Sequence, residues 1–412
     1  MKEWINKNLG SISIQIQTGP FGSQLHQSDY SDIGTPVIMP KDIVDGKISD
    51  DSIARVEEAH VNRLARHKVN EGDIIYPRRG DVRKCAYTVA EQSGWLCGTG
   101  CLRVTIDNKK AVPKYVFYHL QEEKTRGWIE KHAIGATMLN LNTSILSNIP
   151  LRIPRLDVQK KIATTLSRYD SLIDNYQKQI KLLEEAAQRL YKEWFVNLRF
   201  PGHENTKIVD GVPEGWEKKS IADVTIKVTT GLNPRKNFVL GHGENYYVTI
   251  KNMGENTFFL DEKCDKVDDE AIAKINKRSD IENGDILFSG IGTIGRVALI
   301  DIPTSNWNVS ESVFTMRATE TISKEYLYLM LLDSNMQNYC QSHSHGAAQK
   351  GIRMADLKAF SFPLAPKPII DLFTSKAEPL LNRVSKIRRQ VVLLTESRDR
   401  LLPKLLSGEI EV

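Results

Sequence analysis

Residues 162–194 read IATTLSRYDSLIDNYQKQIKLLEEAAQRLYKEW, and residues 373–405 read FTSKAEPLLNRVSKIRRQVVLLTESRDRLLPKL. In the first stretch Ile162, Leu166, Tyr169, Ile173, Tyr176, Ile180, Leu183, Ala187, Leu190 and Trp194 follow one another by alternating steps of four and three. In the second, Phe373, Ala377, Leu380, Val384, Ile387, Val391, Leu394, Arg398, Leu401 and Leu405 do the same, and Arg398 is the only charged member. Ten consecutive a/d positions carry the 3.5-residue period of a coiled coil. A helix lying on its own globular domain carries a wider apolar stripe, so this narrow seam asks for one partner helix.

The two registers are offset by 211 residues, and an offset of 211 or 212 recurs along the whole chain. Trp4 matches Trp216, Thr18-Gly19 matches Thr230-Gly231, and Gly72-Asp73-Ile74-Ile75 matches Gly284-Asp285-Ile286-Leu287. Gly80 matches Gly292, Trp95 matches Trp307, Tyr115 matches Tyr326, and Gly135-Ala136 matches Gly346-Ala347. A solenoid needs three or more short repeats, so two long ones mean two copies of a whole domain with its helix. Each copy opens with short β-branched runs, such as 73–76, 285–289 and 297–302, broken by Gly and Pro. Segments 114–121 and 324–333 read as short helices. The fold class is therefore α/β, in the sense of mixed α+β globular heads plus long α-helices.

The expected domains are a first head over 1–156, a helix over 157–199, a second head over 200–366 and a helix over 367–412. The first helix passes the chain to the second head through Phe200-Pro201-Gly202. With this chain order, two seams that pack together require antiparallel helices, giving a tandem pseudo-twofold repeat whose heads are spaced by a two-helix coiled coil of roughly 50 Å. The seam residues of greatest interest are Ile162, Leu166, Ile173, Ile180, Leu183, Leu190, Phe373, Leu380, Ile387, Val391, Leu394 and Leu401.

The chain has 412 residues, 41% hydrophobic and 26% charged, as a multidomain globular protein does. Its first eight residues lack the apolar core of a signal peptide and no 18-residue apolar run follows, so a cytoplasmic protein without membrane contact is expected. Five scattered cysteines, Cys85, Cys97, Cys101, Cys264 and Cys340, fit a reducing compartment. The net charge of +5 sits wholly in the windows 157–199 and 367–412, so only local clusters can identify a nucleic-acid partner.

Catalytic signatures are missing from the sequence. There is no Walker A loop, methyltransferase Asn/Asp-Pro-Pro-aromatic motif, His-Glu-x-x-His or Gly-x-Ser-x-Gly. Gly290-Ile291-Gly292-Thr293-Ile294-Gly295 fits the dinucleotide fingerprint, but a strand-like run follows where a helix is needed, so it reads as a hairpin turn. Cys97 and Cys101 lack a second pair, and His343-x-His345 lacks a ligand partner, so no metal is expected. Local basic clusters are the informative features. Arg78, Arg79, Arg83 and Lys84 surround one glycine turn, and Arg296 follows the equivalent turn. Arg235-Lys236, Lys251-Asn252, and Lys350 with Arg353 lie in loops of the second copy, and Ser23, Lys41 and Asn140 complete the DNA-binding candidates in the first. Arg and Lys on loops neutralise phosphates, and Arg or Asn reads base edges through paired hydrogen bonds.

Over its whole length the chain resembles the specificity subunit of type I restriction-modification systems. The resemblance rests on Gly19-Pro20-Phe21-Gly22-Ser23, the two Gly-Asp-Ile strands with their glycine turns, and Gly135-Ala136-Thr137. Val212-Pro213-Glu214-Gly215-Trp216 and the tail Leu401-Leu402-Pro403-Lys404-Leu405-Leu406-Ser407-Gly408-Glu409-Ile410 add to it. It implies two target-recognition domains, each reading half of a split target in double-stranded DNA, with the helices as spacer and docking surface. The implied partners are modification subunits, two in number, carrying S-adenosylmethionine, and restriction subunits carrying ATP and Mg, so this chain holds no cofactor and is no enzyme by itself. Family members often have Gln after the Pro that opens each long helix; Gln159 fits, whereas Ile370 departs from the pattern. Two other classes remain open on the residues alone: a coiled-coil scaffold joining two protein-binding heads, and an enzyme with an unrecognised site.

Overall fold

The computed structural model describes residues 4–346 and 350–412; Ala347, one of the matched repeat positions, and the first three residues of the N-terminal stretch lie outside the described residues. The chain divides into two compact units, Met1–Asp174 with Val392–Val412, and Asn175–Val391. Both long helices therefore contribute to both units.

In the first unit a four-stranded antiparallel sheet runs in the order Ser13–Thr18, Cys101–Ile106, Ile74–Pro77, Ala86–Tyr87. A second sheet, Leu96–Cys97, Thr35–Ile38, Ala54–Val56, Tyr30–Ser31, is mixed, with the first pair parallel. Strand Ile5–Asn8 pairs with Pro150–Ile153 just before the first long helix. The second unit repeats this plan. Its sheets are Thr225–Thr230, Val313–Ala318, Ile286–Ser289, Val297–Leu299, and Asp265–Val267, Asn245–Val248, Trp307–Val309, with Glu217–Ser220 paired to Ser361–Leu364. Helices Pro113–Gln121 and Glu123–His132 reappear as Lys324–Leu332 and Ser334–Ser342.

The Gly-Asp-Ile strands are continuous apolar runs because both of their faces are covered. Successive side chains on a strand point to opposite sides. Ile74 and Tyr76 enter one core while Ile75 enters another, and Ile286 and Phe288 part from Leu287 in the same way. The Thr-Gly match also has a steric cause: a Cβ at Gly19 would collide with the Gly98 carbonyl oxygen, and one at Gly231 with that of Val309.

The long helices span Leu156–Tyr191, extended by a π-helical turn at Lys192–Val196, and Lys367–Ser407. In the first unit Ile162 and Leu166 share a core with Leu405 and Leu406, while Arg398 bonds Asp170 at 2.9 Å. In the second, Glu184 pairs with Arg388, and Phe373 packs on Tyr191, Trp194 and Phe195. In each unit the paired numbers run in opposite senses, so the helices are antiparallel. None of the twenty a/d positions is exposed. The seam is not reserved for the partner helix, however: Ile162 and Leu166 share their core with Leu9, Ile12 and Tyr115 of the head, and Phe373 packs on Tyr326. The single charged seam residue, Arg398, is accommodated by Asp170, whose carboxylate also accepts from the Tyr118 hydroxyl.

Gln159 is buried, donating to the Pro154 carbonyl at 2.7 Å and accepting from the Val112 amide at 2.9 Å. Ile370 replaces these hydrogen bonds with apolar packing in the second unit's core. Among the described residues no helix is long and apolar enough to cross a membrane.

Candidate nucleic-acid interface

Each Gly-Asp-Ile strand begins in a turn that its aspartate holds shut. Gly72 and Gly284 take φ of 91° and 97°, which favours glycine. Asp73 accepts the Asn70 amide at 2.9 Å, and Asp285 accepts that of Glu282 at 3.0 Å. Both carboxylates are buried, and each finds an arginine on the neighbouring strand, but not the same one. Asp73 has Arg103 at 3.8 Å and the Thr105 hydroxyl at 2.5 Å. Asp285 has Arg317 in a two-point contact at 2.6 and 2.8 Å. Arg103 corresponds to Thr315, and Thr105 to Arg317, so the two heads exchange the positions of arginine and threonine. Burial pushes the Asp73 carboxyl above its usual range, against the hydrogen bonds from Thr105 and Asn70.

The other end of each strand leads into a glycine turn clasped by a returning loop. In the first unit Gly80 donates to Leu139 at 3.1 Å, Leu141 donates to Arg78 at 2.8 Å, and Arg79 bridges Asn140. In the second, Gly292 donates to Lys350 at 2.7 Å, Ile352 donates to Gly290 at 2.9 Å, and Ile291 bridges Gly351. The same backbone contacts thus bind equivalent residues. The basic side chains differ: Arg78 and Arg79 stand on the strand side in the first head, and Lys350 and Arg353 on the loop side in the second. The Gly290–Gly295 stretch joins Ile286–Ser289 to Val297–Leu299 as a hairpin, with no helix after it.

The remaining candidates separate by what their side chains already do. Arg79, Arg235, Lys236, Lys350 and Arg353 are exposed, and Arg78 is half-buried with its guanidinium 5.8 Å from the Phe21 ring centre. Ser23 and Lys251 are exposed as well, while the Lys41 ammonium is exposed and donates to the Ser52 carbonyl at 2.9 Å. Lys84 pairs with Asp81 at 3.3 Å. Arg83 is held by Glu123 at 2.6 Å and Glu130 at 2.9 Å, which raise its already high pKa. The Asn140 amide closes its own loop through the Met138 and Ile134 carbonyls. Asn252 is buried, and its side-chain oxygen accepts the Thr249 amide at 2.9 Å. The Arg296 guanidinium donates to the Met253 and Ile250 carbonyls. Arg83, Asn140, Asn252 and Arg296 thus already have partners within the protein, Arg83 at exposed carboxylates and the other three at backbone groups.

One pair of side chains outside the sequence-based candidates stands beside both clasps. His132 stacks on Trp128 with ring centres 3.8 Å apart, and His343 stacks on Tyr339 at 3.9 Å. The signal is present in the sequence, since both pairs recur at the repeat offset, but the spacing of His343 to His345 draws attention to metal ligation instead. Among the described residues no group of three or more His, Cys, Asp or Glu could hold a metal. All five cysteines are buried and free, and burial pushes the Cys97 and Cys340 thiols up to about 12.

A duplicated mixed α+β head carrying a basic, clasped turn, with two long helices shared between the copies, describes a class of modular recognition protein. Residues 1–185 and 213–371 match the family described as type I restriction modification DNA specificity domain. The chain belongs to this family, the specificity subunits of type I restriction-modification systems. It is 25% identical to the MjaIX specificity subunit of Methanocaldococcus jannaschii, over 100% of this chain and 94% of that one. It is 22% identical to the HindI specificity subunit of Haemophilus influenzae, over the full length of both. The crystal structure of a type I S subunit from M. genitalium superposes with a TM-score of 0.60 at 16% identity, covering 98% of this chain and 96% of that one, and shows the same fold. Recognition of DNA is therefore this chain's role, and as a specificity subunit it is non-catalytic.

Proposed function

We propose that each head reads one half of a split DNA target, and that the paired helices set the gap between the halves and dock two modification subunits. The observation that carries this reading is the clasped glycine turn, built on the same backbone hydrogen bonds in both heads but furnished with different basic side chains. Arg78 and Arg79 then serve the first half-site, and Lys350 and Arg353 the second, with Arg235, Lys236 and Lys251 as further phosphate contacts of the second head. Docking is supported by Leu182, Val392 and Leu393, helix residues more than half exposed, which a partner would cover. The partners would carry S-adenosylmethionine, ATP and Mg, and the complex would work in the cytoplasm.

The test is genome-wide mapping of methylated bases after co-expression with the modification subunit. Arg78→Ala with Arg79→Ala should relax one half of the mapped motif only, and Lys350→Ala with Arg353→Ala the other half. Loss spread equally over both halves would defeat the assignment of one head to each half-site.

A further inference from the structure

Both heads end their second short helix in the same arrangement. His132 is the last residue of Glu123–His132, and His343 directly follows Ser334–Ser342. Each imidazole lies nearly parallel to an aromatic ring four residues earlier, with interplanar angles of 16° and 24°. Each Nδ1 lies within hydrogen-bond distance of that aromatic residue's carbonyl, 2.8 Å to Trp128 and 2.9 Å to Tyr339. A carbonyl only accepts, and the Ser342 hydroxyl, 3.0 Å from His343 Nδ1, already donates to the Tyr339 carbonyl at 2.9 Å, so these contacts place the proton of the neutral ring on Nδ1 and leave Nε2 bare. Both histidines are exposed, and neither Nε2 has a hydrogen-bond partner among the described residues.

Position ties these rings to the clasps. Two residues after His132, Ile134 exchanges backbone hydrogen bonds with Asn140, which bridges Arg79. Directly after His343, Ser344 and His345 pair with Ile352 and Gly351, beside Lys350 and Arg353. The helix that His132 ends also carries Glu123, Lys124, Arg126, Glu130 and Lys131, with Glu123 and Glu130 paired to Arg83; two residues after His343, His345 lies 3.3 Å from Asp356.

We infer that His132 and His343 are a matched pair of proton-linked phosphate contacts, one in each DNA-reading head. The inference rests on the DNA-recognition reading above and adds to it the residues and their charge state. When Nε2 takes up a proton, the imidazolium keeps its Nδ1–H bond and its ring stack and turns an N–H donor with a positive charge outward. A phosphate oxygen is the negatively charged acceptor on DNA that matches such a cationic donor, whereas the neutral ring offers phosphate only a lone pair.

The experiment uses the full chain and a labelled pool of random-sequence duplexes, because a phosphate contact is indifferent to sequence. Affinity is measured against salt at about pH 5.5 and at about pH 8, an acid and an alkaline condition in the range where imidazole in water changes charge. Protonation of both rings at the lower pH should steepen the slope of log affinity against log salt by about 1.8, at about 0.9 per phosphate neutralised. The variant carrying His132→Gln and His343→Gln should lose that difference, and each single variant about half of it. His67 and His119 do not confuse the reading, since burial holds both down at about 4. Equal wild-type slopes at both pH values would overturn the inference without needing any variant. A pH difference that survives in the doubly substituted chain would also overturn it and move the effect to another of the nine histidines. Salt-independent failure to bind at either pH would instead sink the DNA-recognition reading itself.

Discussion

Replacing Phe373 with Ala tests whether the second long helix is welded to the head it follows. Phe373 is fully buried, and its ring centre lies 4.9 Å from that of Phe195, 5.9 Å from Trp194, 6.1 Å from Tyr326 and 6.2 Å from Tyr191. Three of these partners come from the final turns of the first long helix and one from the head, so a single side chain holds three segments. Truncating a buried phenylalanine costs about 3–5 kcal/mol through lost transfer energy and the cavity left behind. The tilted and T-shaped ring contacts put this site in the upper part of that range. Phe373→Leu keeps most of the volume and should cost about half as much. The assay is urea denaturation followed by amide hydrogen exchange, which reports the two units separately. Protection should collapse in residues 175–391 by about 4 kcal/mol while residues 4–174 change little, because Phe373 belongs to the second unit's core alone. A loss under about 1 kcal/mol, or equal losses in both units, would refute the account of this core.

Three further outcomes are expected. Arg83→Ala should leave the salt dependence of DNA binding unchanged and cost at most about 1 kcal/mol of stability, since its exposed partners Glu123 and Glu130 are readily hydrated; Arg79→Ala should lower the salt slope by about 0.9 as measured by anisotropy. Arg317→Thr should destabilise the second unit by about 3 kcal/mol in denaturant melts, because it strands the buried Asp285 carboxylate; adding Thr315→Arg should restore stability only together with Lys227→Gln, since the first head places Gln15 beside Arg103 where the second has Lys227. Acid should weaken the first unit before the second: burial lowers both His67 and His119 to about 4 against about 6.5 unfolded, so the unfolded chain binds more protons between those values. Their stabilising effect is complete above about pH 6.5 and is lost as pH falls toward 4, by about 3 kcal/mol each at most, which melts from pH 7 to 4.5 would reveal.

The duplication and the helix seam were legible because they are written in residue spacing. A 3.5-residue period survives in Ile162 to Trp194 whatever the heads look like, and the offset of Trp4 to Trp216 needs no geometry to be seen. The way each head's strands pair was not legible, because the decisive contacts join residues far apart in sequence, such as Leu102 with both Tyr76 and Thr18. The aspartate partners were hidden for another reason. Aligned by repeat, Arg103 falls on Thr315 and Thr105 on Arg317, so a position-by-position comparison sees two mismatches where the fold makes one interaction from two directions. The candidate interface was read in part. Charge at a glycine turn is visible in Arg78-Arg79-Gly80, but nothing in the sequence tells that Arg83 faces Glu123, or that Arg296 points inward at the Met253 carbonyl. Asn252 resembles a base reader because its amide chemistry suits adenine; a turn amide has the same use for it.

The clasp explains how one fold can present two different chemistries. Its contacts are backbone to backbone, Gly80 to Leu139 and Gly292 to Lys350, so they constrain where the turn lies and place no demand on the side chains that leave it. In the first head the turn's strand side carries Arg78 and Arg79, opposite Leu139 and Asn140. In the second head that side is Gly290 and Ile291, and the charge has moved across to Lys350. The aspartate below each strand behaves alike, accepting its arginine from either of two positions while the turn it closes stays the same. Recognition groups mounted on such a frame can be exchanged without repacking the core that holds them. A chain with two copies of the frame can therefore present unlike donor patterns at equivalent places, which is what the proposed reading of two unlike half-sites would require of it.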